Sequence, residues 1–232
     1  MSRVSRRPYD RTLRDEQARA TRARILEAAH RLLLADDYQN LTIAALAESA
    51  GVSVQTIYNS VGNKAAVVKA VYDVMLAGDD DPRAMNDRPE FLALADATDG
   101  PSMLRAYAAL SRRIADRVGP LLTVLLTNSD DDVKAFAATI EAERLRGNAT
   151  MIGHLVRRFG LPAGLSRRRA IDVVWTLTSP EVFDRLTRQR SWSANDYERW
   201  LGDAMIAALA QGSHEKSPPS TCLSERMYGV WR

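Results

Sequence analysis

Thr42-Ile43-Ala44-Ala45-Leu46-Ala47-Glu48-Ser49-Ala50-Gly51-Val52-Ser53-Val54-Gln55-Thr56-Ile57-Tyr58 reads as two short helices joined by a tight turn. Thr42 stands where an N-cap belongs, its hydroxyl oxygen able to accept from an orphan backbone N–H of the first turn. Gly51 ends that helix, and Ser53 caps the next. Ala44, Leu46, Ala47, Ala50, Val52 and Ile57 supply the small apolar contacts that two helices crossing at close range require. This is the layout of a helix-turn-helix, whose second helix enters the major groove of DNA while the first crosses the backbone. Val54, Gln55, Thr56, Tyr58 and Asn59 are left pointing away from the core. Gln55 can bond both edge groups of an adenine, and Val54 or the Thr56 methyl can touch a thymine methyl. Tyr58 and Lys64 are placed to hold phosphates, Lys64 in a first helical turn where backbone N–H groups already favour anions. A plain helical hairpin with solvated polar side chains is the alternative for the same residues.

Upstream, Ile25, Ala28, Ala29, Leu32 and Leu33 recur at helical spacing from Arg22 to Ala35, until Asp36-Asp37 breaks the pattern. Arg3, Arg6, Arg7, Arg11, Arg14 and Arg19 crowd the residues before it, although the net charge is only +3 over 232 residues. Those residues, 1–21, are expected to form a flexible basic arm, either a solvated tail or a holder of phosphates. Downstream, Asn63 opens a helix with Val67, Val71, Val74 and Met75 on one stripe. It runs out at Gly78-Asp79-Asp80-Asp81-Pro82, a seam between head and body. Further helices are predicted at 89–96, 102–118, 120–129, 131–159, 166–178, 180–190 and 194–210, with turns or helix starts at Gly119-Pro120 and similar sites. No alternating strand pattern occurs. The expected fold is all-α, with an N-terminal three-helix head over 22–77, a larger helical body over 78–211 and a flexible tail over 212–232.

The runs Arg22 to Ala29 and Leu41 to Ser53, with Thr56-Ile57-Tyr58 and Asn63-Lys64, resemble the head of the tetracycline-repressor (TetR) family across most of residues 22 to 75. The resemblance implies a dimeric, ligand-responsive transcriptional repressor. It implies that Thr42 caps the second helix and can touch phosphate. Ser53, Val54, Gln55, Thr56, Tyr58 and Asn59 then face DNA, Arg22 is expected among the DNA-binding residues with them, and Lys64 clamps the backbone. The chain departs from the family pattern at Ser60-Val61, usually an aromatic or histidine followed by phenylalanine, and at Ala65-Ala66, usually an acidic pair.

The resemblance further implies that the last two long helices, Ser166–Thr178 and Ala194–Ala210, pair with their copies in a homodimer. The first is apolar on more than one side, which suits a helix packed between its own domain and a partner, an internal core helix of a monomer being the alternative. A two-fold dimer requires a palindromic operator. A small, mainly apolar effector is expected inside the body, with Met103, Tyr107, Leu121, Leu125, Phe136, Ile140 and Trp175 as candidate lining residues and ordinary core packing as the alternative for each. The alternative is a DNA-binding regulator or architectural protein with no small-molecule ligand, which would lack such a cavity.

An enzyme is not expected. His30, His154 and His214 are scattered without metal-ligand spacing, and no phosphate loop or nucleophile elbow is present. Asp79-Asp80-Asp81 and Asp130-Asp131-Asp132 read as helix-capping turns, and Glu141, Glu143 and Arg144 as a solvated helix face. No cofactor or metal is implied. A single cysteine, Cys222, no secretory signal and no membrane-length apolar run together predict a cytoplasmic protein.

Overall fold

The computed structural model describes residues 7–78, 94–126 and 131–210, and among these every regular element is a helix. The residues expected in the tail, most of the 89–96 helix, Asp79 to Pro82, Asp130, and Arg3 and Arg6 of the arm lie outside them.

The head comprises α1 (Arg7–Asn40), α2 (Ile43–Ala50), α3 (Val54–Ser60) and α4 (Lys64–Ala77). Each of the last three starts on a side-chain cap: Thr42 accepts from the Ala45 N–H, Ser53 from Thr56 and Asn63 from Ala66. Gly51 ends α2 at φ 63°, a left-handed conformation in which its N–H reaches the carbonyls of Ala47 and Glu48.

α1 corrects the sequence reading at both ends. It begins at Arg7, where a flexible arm was expected, and it passes through Asp36-Asp37 to Asn40. Residues 13–20 are all exposed, so no apolar stripe marks them. Arginine, glutamine, glutamate and alanine suffice there, with Pro8 in the first turn where its missing N–H costs nothing. At the other end the buried Tyr38 and Leu41 anchor the chain in the core and carry the helix past the two aspartates.

The body comprises α5 (Gly100–Leu126), α6 (Asp131–Phe159), α7 (Arg167–Leu177), α8 (Pro180–Asp184) and α9 (Ala194–Leu209). A π-helical turn, Arg185–Gln189, extends α8. Asp99 caps α5 by accepting from the Ser102 N–H at 2.7 Å while the Ser102 hydroxyl accepts from Asp99, and these bonds hold the Asp99 carboxyl below its usual range. α5 is one helix where Gly119-Pro120 predicted a break. An interior proline costs roughly 3 kcal/mol. The helix continues through it because Val118, Leu121, Leu122 and Leu125 on both sides are buried, and the Gly119 carbonyl accepts from the Thr123 hydroxyl. Ser166, Ser179 and Ser193 cap the later helices.

Two apolar clusters result. One joins Ile25, Leu33, Leu46 and Ile57 of the head to Val118, Leu121, Leu125 and Ile140 of the body, so head and body share a core. The other fills the far end of the body, where α9 lies along α5 and α7.

Candidate functional site

The outer face of the head is polar and open. Val54 is 43% exposed and Tyr58 50% exposed, and Gln55 and Asn59 are exposed beside them. Ile57, the one apolar residue of α3 that points inward, is fully buried. The recognition face is organised within itself: Gln55 Nε2 donates to Asn59 Oδ1 at 2.9 Å, and the Ser53 and Thr56 hydroxyls lie 2.8 Å apart. Those short bonds hold the side chains in place while leaving the second amide N–H of Gln55 and the carbonyl oxygen of its amide open to a base edge.

Lys64 lies over the Tyr38 ring, 3.9 Å from its centre, which fixes the direction of the ammonium at the start of α4. Arg22 Nη1 donates to the Ser60 carbonyl at 3.1 Å, satisfying the last carbonyl of α3. Arg22 therefore braces the end of the recognition helix, whereas Thr42, Ser53, Val54, Gln55, Tyr58 and Asn59 are each exposed and Thr56 is half-buried. Val61 is half-buried against the head core.

A cavity of about 610 Å³ lies between α4 and the body helices. Its wall is mostly apolar, with Tyr72 and Leu76 contributed by α4 and Met103, Ile114 and Phe183 by the body. Of the seven residues expected to line it, Met103 and Tyr107 do. The other five do not line it. Leu121, Leu125 and Ile140 are buried in the core between head and body, and Phe136 packs there edge-on to Tyr72 at 5.7 Å. Trp175 sits one helical step round from the buried Val174, 37% exposed, with its indole N–H bonded to Glu141 at 3.0 Å.

The wall also carries polar residues that sequence reasoning missed. Asn148 is 3% exposed and accepts from the Tyr107 hydroxyl at 2.5 Å. Burial pushes that hydroxyl's pKa up to about 12, so it stays protonated at any physiological pH. A signal was present: Asn148 falls three, four and seven residues before the buried Met151, Ile152 and Leu155, a lone amide on an apolar stripe.

Glu143 and Arg144 are not a solvated face. Glu143 accepts from Lys69 of α4 at 3.2 Å, and Arg144 grips both oxygens of Glu141 and reaches the Trp175 carbonyl. Burial disfavours the Lys69 ammonium, but the carboxylates of Asp73 and Glu143 outweigh it and raise its pKa.

Among the described residues no His, Cys, Asp and Glu cluster could hold a metal ion, and no helix is long and apolar enough to cross a membrane.

Residues 25–71 match the family model described as "Bacterial regulatory proteins, tetR family". The fold resembles that of NalD of Pseudomonas aeruginosa, the secondary repressor of the MexAB-OprM multidrug efflux pump. The two are 19% identical, over 85% of this chain and 99% of that one, with a TM-score of 0.61. MexZ, described as a key repressor responsible for antibiotic resistance in the same organism, is 24% identical over 81% of this chain and 94% of its own, with a TM-score of 0.57. SmeT, solved as a complex with triclosan, is 16% identical over 90% and 100% of the two chains, with a TM-score of 0.62. At these identities the likeness is one of fold. No curated protein sequence matches the chain significantly.

Proposed function

We propose that this chain, whose residues 25–71 match the model of tetR-family bacterial regulatory proteins, is a transcriptional repressor acting in the cytoplasm. In this reading it binds a palindromic operator as a homodimer and is released by a small, mainly apolar effector. The observation that carries the effector reading is that α4 belongs to two structures at once. Its first turn presents Lys64 beside the recognition helix, and its later turns place Tyr72 and Leu76 on the cavity wall. A molecule that packs against Tyr72 and Leu76 favours one setting of α4. A shift of α4 in each protomer then changes the separation of two recognition helices that must reach half-sites about 34–36 Å apart.

The same cavity speaks against a purely architectural role, which needs no apolar void of this size. That SmeT was solved with triclosan supports the reading by analogy of fold alone. The exposed Trp175 of α7, on a helix whose Ile171, Val173 and Leu177 already pack against the body's own core, supports a partner copy covering its free face.

Selection of binding sites from a randomised duplex library, with full-length protein at physiological salt, tests the head and the dimer together. The expected product is an inverted repeat with half-sites one helical turn or a multiple apart. Enrichment of a single unrepeated half-site would sink the dimer, and no enrichment at all would sink the operator reading.

A further inference from the structure

The cavity wall holds ionisable side chains, but the protein already engages each of them. Glu143 is taken by Lys69, and Arg144 is occupied by both oxygens of Glu141. Arg158 spends its donors on the carbonyls of Leu94, Ala95 and Ala97, clamping the chain that leads into α5. His154 Nδ1 faces Arg157 at 3.1 Å. A charged ligand would have to break one of these contacts or remain unpaired in an apolar pocket, and either is costly.

The neutral cluster Tyr107–Asn148–Thr178 is different. Thr178 gives its hydroxyl hydrogen to the Val174 carbonyl at 2.8 Å, so its oxygen faces outward as an acceptor. The atom of Asn148 nearest to it, at 3.5 Å, is therefore the amide nitrogen, which leaves Oδ1 to accept from Tyr107. The Thr178 contact is long, and the second Asn148 N–H has no protein acceptor in this network. The Tyr107 oxygen, having donated its hydrogen, keeps its lone pairs. All three residues lie on the cavity wall. The cluster thus presents one acceptor and one donor side by side within an apolar lining. A hydroxyl meets both at once, since it can donate to Tyr107 and accept from Asn148. A carboxylate only accepts, and an ammonium only donates.

We propose that the cavity binds an uncharged, largely apolar molecule bearing a hydroxyl or phenol head, seated between the Tyr107 oxygen and the Asn148 amide. This rests on the reading of the cavity as the effector site and adds the chemistry of the head group.

Calorimetric titration of the full-length protein compares four probes of one shape: para-hexylphenol, hexylbenzene, para-hexylbenzoate and para-hexylbenzylammonium. The phenol is expected to bind about tenfold tighter than hexylbenzene or either ion, the scale of one well-made buried hydrogen bond. Tyr107→Phe and Asn148→Leu should each bring the phenol to within about threefold of hexylbenzene, with hexylbenzene itself little changed. Tyr107→Phe removes a single oxygen, so it keeps the test decisive if Asn148→Leu fails to fold. Hexylbenzene binding as tightly as the phenol, an ion binding tighter, a preference that survives Tyr107→Phe, or no saturable binding would each overturn the assignment. A parallel gel-shift assay on the selected operator separates the two readings. A phenol preference without DNA release upholds the head group and removes the effector role. Equal release by phenol and hexylbenzene does the reverse.

Discussion

The head and the body of this protein are both helical and share a core, but they place their polar chemistry on opposite scales. In the head, the side chains of the two short helices are fixed by a neighbour three or four residues away, Thr42 by Ala45, Ser53 by Thr56 and Gln55 by Asn59, while Arg22 and Lys64 reach further, to Ser60 and the Tyr38 ring. In the body, the partners are distant: Tyr107 and Asn148 are 41 residues apart, Arg112 and Glu198 86, Arg105 and Asp203 98. The head turns its polar groups outward to a surface it must read, and the body turns some of them inward around a space. A local network survives only if its own helix forms, whereas a distant one reports the packing of the whole molecule.

The strongest way to break that contrast is at the shared core. Leu121 belongs to a body helix but is fully buried among residues of the head. Leu121→Ala is expected to cost about 2–5 kcal/mol in urea unfolding. Because the cluster spans both regions, circular dichroism and tryptophan fluorescence should shift together, although every tryptophan lies in the body or the tail. Affinity of the folded variant for para-hexylphenol should hold within about twofold, since Leu121 is not on the cavity wall. Separated transitions would show the head to be an independent unit.

Gln55→Ala probes the outward network alone. About 1–3 kcal/mol of discrimination at one base position per half-site is expected to vanish, visible as a relaxed column in the selected sequences. Stability should barely move, because Gln55 is exposed. A uniform loss of affinity with unchanged preference would instead make Gln55 a backbone contact. Smaller again is Ser53→Ala, which removes the α3 cap and should cost about 1 kcal/mol in thermal unfolding.

The same contrast explains what could be read from residues alone. The caps Thr42, Ser53 and Asn63 and the terminator Gly51 act within one turn, so their spacing carried them, and the recognition face followed by subtraction. The exposed start of α1 had no apolar stripe to announce it, only propensity. Gly119-Pro120 looked like a break because the packing that carries α5 through it comes from Ile25, Leu33 and their neighbours far upstream. Leu121, Leu125 and Ile140 looked like pocket residues because an apolar side chain does not say whether it meets a void or another helix. Glu143 and Arg144 looked solvated because Lys69 and the Trp175 carbonyl stand on other helices. Only Asn148 carried a usable sign, as an amide set into an apolar stripe.

The smallest expected change in stability concerns the contact with most bearing on how the regions communicate. Lys69 joins Asp73 on its own helix to Glu143 on α6, and Glu143 also borders the cavity. The side chains of Lys69 and Glu143 are 31% and 28% exposed, so Glu143→Gln should cost less than about 1 kcal/mol while Lys69 keeps Asp73. The sign with pH follows from the raised Lys69 pKa: its contribution is complete below the ordinary value of 10.5 and lost only as pH rises through the higher folded value. The wild-type and Glu143→Gln curves should therefore run parallel from about pH 6 to 9, with any convergence confined to more alkaline conditions. The informative quantity is the factor by which para-hexylphenol weakens operator binding, which by linkage equals the factor by which operator weakens para-hexylphenol binding. If the ion pair ties α4 to the cavity wall, Glu143→Gln reduces that factor with little effect on either affinity measured separately. An unchanged factor would mean that the cavity reaches the head through Tyr72, Phe136 and the shared apolar core, or through Arg117 of α5, whose guanidinium donates to the Leu76 carbonyl of α4.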